Sequence, residues 1–141
     1  TTPLKYYFAD IGLRNARLNF RQVEETHIME NIIYNDLIRR GYNVDVGVVE
    51  YTQTKENKNK KIQLEVDFVV NRGNIRYYIQ SALALSSEEK REQEINSLKR
   101  IDDSFKKIVV VKDDIIPRYD EQGIYYIGVK DFLLTDSIFE N

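Results

Sequence analysis

The stretch "EVDFVVNRGNIRYYIQSA", residues 65–82, restricts the fold most narrowly. Two runs rich in β-branched and aromatic residues flank Asn71-Arg72-Gly73-Asn74, the pattern of a β-hairpin. If Arg72 and Gly73 form a two-residue turn, Asn71 faces Asn74, Asp67 faces Tyr78 and Glu65 faces Gln80. Opposed residues of antiparallel strands share a face, and faces alternate along each strand. Glu65, Asp67, Tyr78, Gln80 and Ala82 then share one face, while Phe68, Val70, Tyr77 and Ile79 share the other. The polar group is either a solvated face or a site.

The neighbouring segments extend this hairpin into a domain. "QVEETHIMENIIYNDLIRR", residues 22–40, is predicted helical, with Val23, Ile28, Ile32, Tyr34 and Leu37 at helical spacings. Glu24 and Glu25 open it, Arg39 and Arg40 close it, and Gly41 follows, the charge order a helix dipole favours. "YNVDVGVVEY", 42–51, alternates as a strand; a polar loop over 52–60 leads to strands over 61–71 and 75–83. Ser86 and Glu89 have capping-box spacing ahead of a helix whose apolar stripe is Ile95, Leu98 and Ile101. "KKIVVVKDD" is typical of a strand buried on both faces. "GIYYIGVKDFLL" predicts a last strand and a short helix, and "LKYYFADIGLRNARLNF", 4–20, an entry segment, part strand and part helix. The order is αβββαβ, then β and α: a mixed β-sheet with helices packed on it. No repeat or Pro-, Gly- or Ser-rich linker interrupts it, so residues 1–141 are expected to form a single domain.

Composition narrows the chemistry. Hydrophobic residues make up 42 % of 141, enough for a sizeable core. No apolar run approaches the roughly 20 residues of a membrane helix. "TTPLKYYFAD" has no signal-peptide pattern. Without cysteine there are no disulfides or thiolate metal sites, which fits a cytoplasmic protein. A single His27 excludes sites built from several histidines of this chain. The net charge of −2 makes no general case for nucleic-acid binding. "KENKNKK", 55–61, is the exception: Lys55, Lys58, Lys60 and Lys61 form either a solvated hairpin loop or a phosphate-contacting one.

Six ordered segments carry a family resemblance: "KYYFADIGLRNA", "HIMENIIYNDLIRRGYNVDVG", "EVDFVV", "YYIQSA", "KREQEINSLKRIDDSFKKIVV" and "GIYYIGVKDFLL". Together they resemble an uncharacterised C-terminal domain of prokaryotic AAA+-like ATPases. The resemblance implies a PD-(D/E)xK, restriction-endonuclease-like α/β fold. It also implies an ATP-binding module N-terminal to this segment, so that the full-length protein would be an ATPase. This segment itself has no Gly-Lys-Ser/Thr phosphate loop. In that nuclease superfamily a helix acid and a strand Asp bind a divalent ion, and an acid-x-Lys motif completes the site. Glu30 matches the helix acid and Asp67 the strand Asp. Gln80-Ser81-Ala82 stands in place of acid-x-Lys, so Ala82 occupies the lost lysine position.

The implied catalytic set is therefore vestigial. Magnesium and manganese favour oxygen ligands that include carboxylates. Gln80 offers an oxygen without charge, so Glu30 and Asp67 are expected to hold an ion weakly, if at all. Losing a positioned cation typically costs about 10²–10⁴-fold in rate. Lys90 and Arg91 are candidates for a migrated replacement. Further roles are weighed against plainer ones. His27 lies one turn before Glu30 and reads more simply as a structural hydrogen-bonding residue. Glu65 either replaces the lost carboxylate or is a solvated strand residue. Arg91 and Glu92 read as helix ion-pairing residues. The tyrosine pairs 6–7, 77–78 and 125–126 either stack bases or pack on a half-buried sheet. The leading expectation is a degenerate nuclease-fold domain, a recognition or regulatory module binding nucleic acid or protein. The alternatives are an active metal-dependent DNA or RNA nuclease and a purely structural protein-interaction domain.

Overall fold

The computed structural model describes residues 21–139. The expected entry segment, 4–20, and the tyrosine pair 6–7 lie outside them. Among the described residues the elements run α1 (Arg21–Arg39), β1 (Asn43–Lys55), β2 (Lys58–Arg72), β3 (Ile75–Ala82), α2 (Glu88–Lys99), β4 (Lys106–Val111), β5 (Arg118–Tyr119), β6 (Tyr125–Gly128) and α3 (Val129–Leu134). A 3₁₀ turn, Ser137–Phe139, follows. No helix among these residues is long and apolar enough to cross a membrane.

The strands form one mixed sheet in the order β1-β2-β3-β4-β6-β5. β1, β2 and β3 are an antiparallel meander, whereas β3-β4 and β4-β6 are parallel. The crossover from β3 to β4 carries α2, as parallel neighbours require a long connection. Helices cover both faces. On one, Met29, Ile33 and Leu37 of α1 and Phe132 of α3 pack with Phe68, Val70, Ile79, Ile108 and Val110. On the other, Ile95 and Leu98 of α2 pack with Val66, Tyr78, Ala82, Val109, Val111 and Tyr126. β4 feeds both clusters, which is why its sequence is apolar at successive positions.

The α1 spine is Met29-Ile33-Leu37 at i, i+4 spacing, all buried, while Ile28, Ile32 and Tyr34 of the expected stripe are only half-buried. Its C-terminus is a Schellman turn: the Tyr42 N–H donates to the Leu37 carbonyl at 3.1 Å and the Gly41 N–H to the Ile38 carbonyl at 2.9 Å. Buried Asp36 binds Arg40 at 2.7 Å, and the Arg40 guanidinium also donates to the Phe132 and Thr135 carbonyls. This one cation fastens α1 to α3 and meets the carbonyls left open at the end of that short helix.

Three local details differ from the sequence reading. The segment expected as a loop over 52–60 continues β1 and β2 as a ribbon to a two-residue turn at Glu56-Asn57. The β2–β3 turn is Gly73-Asn74, because Arg72 pairs with Ile75. Gly73 takes φ 61° at the first turn position, where a side chain is disfavoured. The α2 cap is Ser87 rather than Ser86: Ser87 Oγ accepts the Lys90 N–H at 3.1 Å. Lysine at the third helical position leaves no reciprocal capping box.

Candidate functional site

β3 and β4 end side by side at Ala82 and Val111, with α1 on one face of the sheet and α2 on the other. The crevice at the carboxyl ends of parallel strands is a frequent ligand position in such sheets. Here it is an open cleft of about 520 Å³, lined by Glu25 and Thr26 of α1, Ser81 to Ala84, Lys90 and Glu94 of α2, and Lys112 and Asp113.

Behind Ser81, which lines the cleft, the strand register changes. β2 carries a bulge: Asp45 pairs with Val69 and Gly47 with Val66, so Asp67 and Phe68 together oppose Val46. β2–β3 pairing extends no further than Phe68–Ile79. Beyond it, side chains replace the backbone rungs. The Asp67 N–H donates to Gln80 Oε1 at 2.9 Å, and Asp67 Oδ2 accepts from the Ser81 N–H at 2.9 Å and the Ser81 hydroxyl at 3.0 Å. Asp67 is buried, and its interactions are not confined to these. Burial raises the pKa of Glu94, the Asp67 carboxylate raises it further, and Lys90 partly offsets both.

The expected site residues divide. Asp67, Gln80 and Ala82 come together at the end of β3, with Ala82 buried against the α2 cluster and also lining the cleft. Glu30 is buried on α1, with Oε2 3.6 Å from Nδ1 of His27. Glu65 departs from its expected facing. Val66 packs on the α2 side, so its neighbour Glu65 points to the opposite face, away from Gln80. The bulge is the cause. Of the proposed replacement cations, Lys90 lines the cleft. Arg91 does not: it binds Glu88 at 2.7 Å and approaches Asp120 and the Tyr126 hydroxyl. Glu92 pairs with Lys99 at 2.6 Å. Tyr77, Tyr78 and Tyr126 are core residues and offer no ring face for stacking.

Lys112 is the cleft cation that sequence reasoning missed. Its N–H donates to the Ala82 carbonyl at 3.1 Å and its Nζ lies 3.3 Å from Glu25. The signal was the position just after "IVVV", at the carboxyl end of a parallel strand. The four candidate lysines, Lys55, Lys58, Lys60 and Lys61, stand apart on the exposed β1–β2 ribbon.

The donor set does not fit a magnesium or manganese ion. Such ions want several oxygen ligands in near-octahedral order. Gln80 Oε1 and Asp67 Oδ2 already accept hydrogen bonds from the strands. Among the described residues no group of three or more His, Asp or Glu side chains is arranged to hold a metal.

Comparison with known proteins supplies the family. An uncharacterized protein of Haemophilus influenzae is 31 % identical over 137 residues, covering 94 % of this chain and 29 % of that protein. The chain thus spans less than a third of the relative's length. A family model described as Domain of unknown function (DUF4143) matches residues 25–132, an interval that holds Glu30, Asp67, Gln80 and Lys112. The chain belongs to the DUF4143 family.

Proposed function

We propose that this domain is a PD-(D/E)xK-type fold with a lapsed catalytic set, acting as the nucleic-acid recognition module of a longer AAA+-like ATPase. The αβββαβ order on a mixed sheet supports the fold reading. The ATPase context rests on the six resembling segments. The observation that carries the lapsed site is the use of Asp67 and Gln80 as rungs between β2 and β3. Their oxygens hold strands together where an active site would present them to an ion. Position 80 lacks charge and position 82 lacks an amine, so neither ion binding nor stabilisation of a pentavalent phosphate is supplied there. The test is manganese titration by calorimetry together with cleavage assays on DNA and RNA. Neither heat of binding nor cleavage is expected. Metal-dependent cleavage abolished by Asp67→Ala would overturn the reading.

A second reading, an active nuclease, draws on Lys112. It lines the cleft beside Ala82 and could supply the missing cation. Cleavage lost on Lys112→Ala at unchanged melting temperature would establish it.

A further inference from the structure

The β1–β2 hairpin outruns the rest of the sheet. β2 pairs with β3 only over residues 68–72, and β1 is the sheet edge. From Tyr51–Ile62 to Lys55–Lys58 the two strands pair with each other alone. This length is roughly 14 Å at about 3.4 Å per residue. Isolated ribbons are marginal in water, yet this one is braced. Glu56 and Asn57 have φ of 54° and 62°, the handedness that matches strand twist. Thr54 and Asn59 are hydrogen-bonded across the strands, as are Gln63 and Glu50. At the base the Arg100 guanidinium lies 3.4 Å from the centre of the Tyr51 ring.

Alternation sorts the charges on this ribbon. Val49 and Val66 pack in the α2-side cluster, and Tyr51, two residues on from Val49, meets Arg100 beside α2. Continuing that alternation through the pairs Gln53–Lys60 and Lys55–Lys58 places Lys55, Lys58 and Lys60 on the same face. Glu50 and Glu65 fall on the opposite face, with Lys61. Lys55 directly opposes Lys58, an arrangement that repels in the free protein. Residues 55–61 carry +3, from four lysines and one glutamate, against −2 for the chain and so −5 for the remainder. The basic strip is therefore local, one-sided and aligned with Arg100.

We propose that this ribbon is a duplex-DNA-binding arm, with Lys55, Lys58, Lys60 and Arg100 on the phosphates. It rests on the recognition-module reading in taking nucleic acid as partner, and adds the surface and the duplex. The B-DNA major groove admits a two-stranded ribbon, whereas that of A-form RNA is too narrow for side chains to read. Lysine–phosphate contacts fix position without reading sequence, so binding should be sequence-independent and steeply salt-dependent.

The test is fluorescence anisotropy of the 141-residue chain with a mixed-sequence 20-base-pair DNA duplex between 50 and 200 mM salt. Four phosphate contacts predict a log–log salt slope of about −3.6. K55E/K58E/K60E should abolish binding at unchanged melting temperature. The milder Lys58→Glu should lower the slope by about 1, and Lys61→Glu, on the far face, should weaken binding less than Lys58→Glu. Undiminished binding by the triple variant would sink the arm and leave the module reading standing. Equal losses in K58E and K61E, or equal affinity for duplex RNA, would also overturn the arm. No binding of any nucleic acid at 50 mM salt would sink both.

Discussion

The side-chain oxygen of Gln80 accepts the main-chain N–H of Asp67 at 2.9 Å. A side chain thus supplies a rung where the strands diverge. Gln80→Leu removes the acceptor and leaves that N–H without this partner, costing about 1–3 kcal/mol. Urea denaturation should show the midpoint falling at constant slope.

Gln80→Glu keeps the acceptor but sets a carboxylate beside Asp67, with Glu94 nearby. Millimolar manganese should then raise the melting temperature of this variant and leave the parent unchanged, since a ligand stabilises only the state that binds it. Adding Ala82→Lys completes the acid-x-Lys pattern, and metal-dependent cleavage by the double variant would show that the backbone retains competent geometry.

Asp67→Ala removes the acceptor of both the Ser81 N–H and the Ser81 hydroxyl. A loss of about 2–3 kcal/mol is expected because a charged acceptor is involved. Asp67→Asn keeps one acceptor oxygen and should recover part of it. Equal stability of D67A and the parent would refute the strut role.

Burial and the Asp67 carboxylate raise the pKa of Glu94 in the fold. The folded state therefore binds more protons than the unfolded state between the ordinary glutamate value and the raised one. Stability from this group is full below the ordinary value and lost as pH rises through the folded pKa. Glu94→Gln should flatten that decline, as read from melting temperatures between pH 4 and 7.

Glu56 and Asn57 both hold positive φ in the ribbon turn. Glutamate resists that conformation more than asparagine or glycine. E56N/N57G should stabilise the hairpin by roughly 0.5–1 kcal/mol. Slower amide exchange at the tip, with unchanged exchange in α2, is the expected signature.

Much of the sheet was legible because hydrophobic alternation and turn chemistry are local. The β2–β3 register was misplaced by one turn position, pairing Asn71 with Asn74 rather than with Arg76. The shared face of Tyr78 and Ala82, and the opposite one of Phe68, Val70, Tyr77 and Ile79, nevertheless stand, because the slip preserves the alternation. The bulge at Asp67-Phe68 has its mark on the partner strand: Gly47 faces Val66 beside it, where an added Cβ would lie 2.6 Å from Val69 Cγ2, but a lone glycine does not say which strand carries the extra residue. The bulge moved Glu65 to the other face. The ribbon was missed because lysine and asparagine have poor strand propensity, and cross-strand pairing overrode it. In the candidate site, Asp67, Gln80 and Ala82 were legible as neighbours across one hairpin. Lys112 was not, since its place depends on a parallel pairing made through the α2 crossover.

β3 is also a kinetic seam. Its pairing with β2, and that of β2 with β1, close through two-residue turns, whereas its pairing with β4 waits on the connection from residue 83 to 105. Short loops close sooner and at lower entropic cost than long ones. The meander is therefore expected to form first, with the parallel half docking behind it. Val110→Ala should then chiefly speed unfolding, whereas Val70→Ala should slow folding. A stopped-flow chevron of the two variants would show the β3 boundary as a step in time as well as in strand direction.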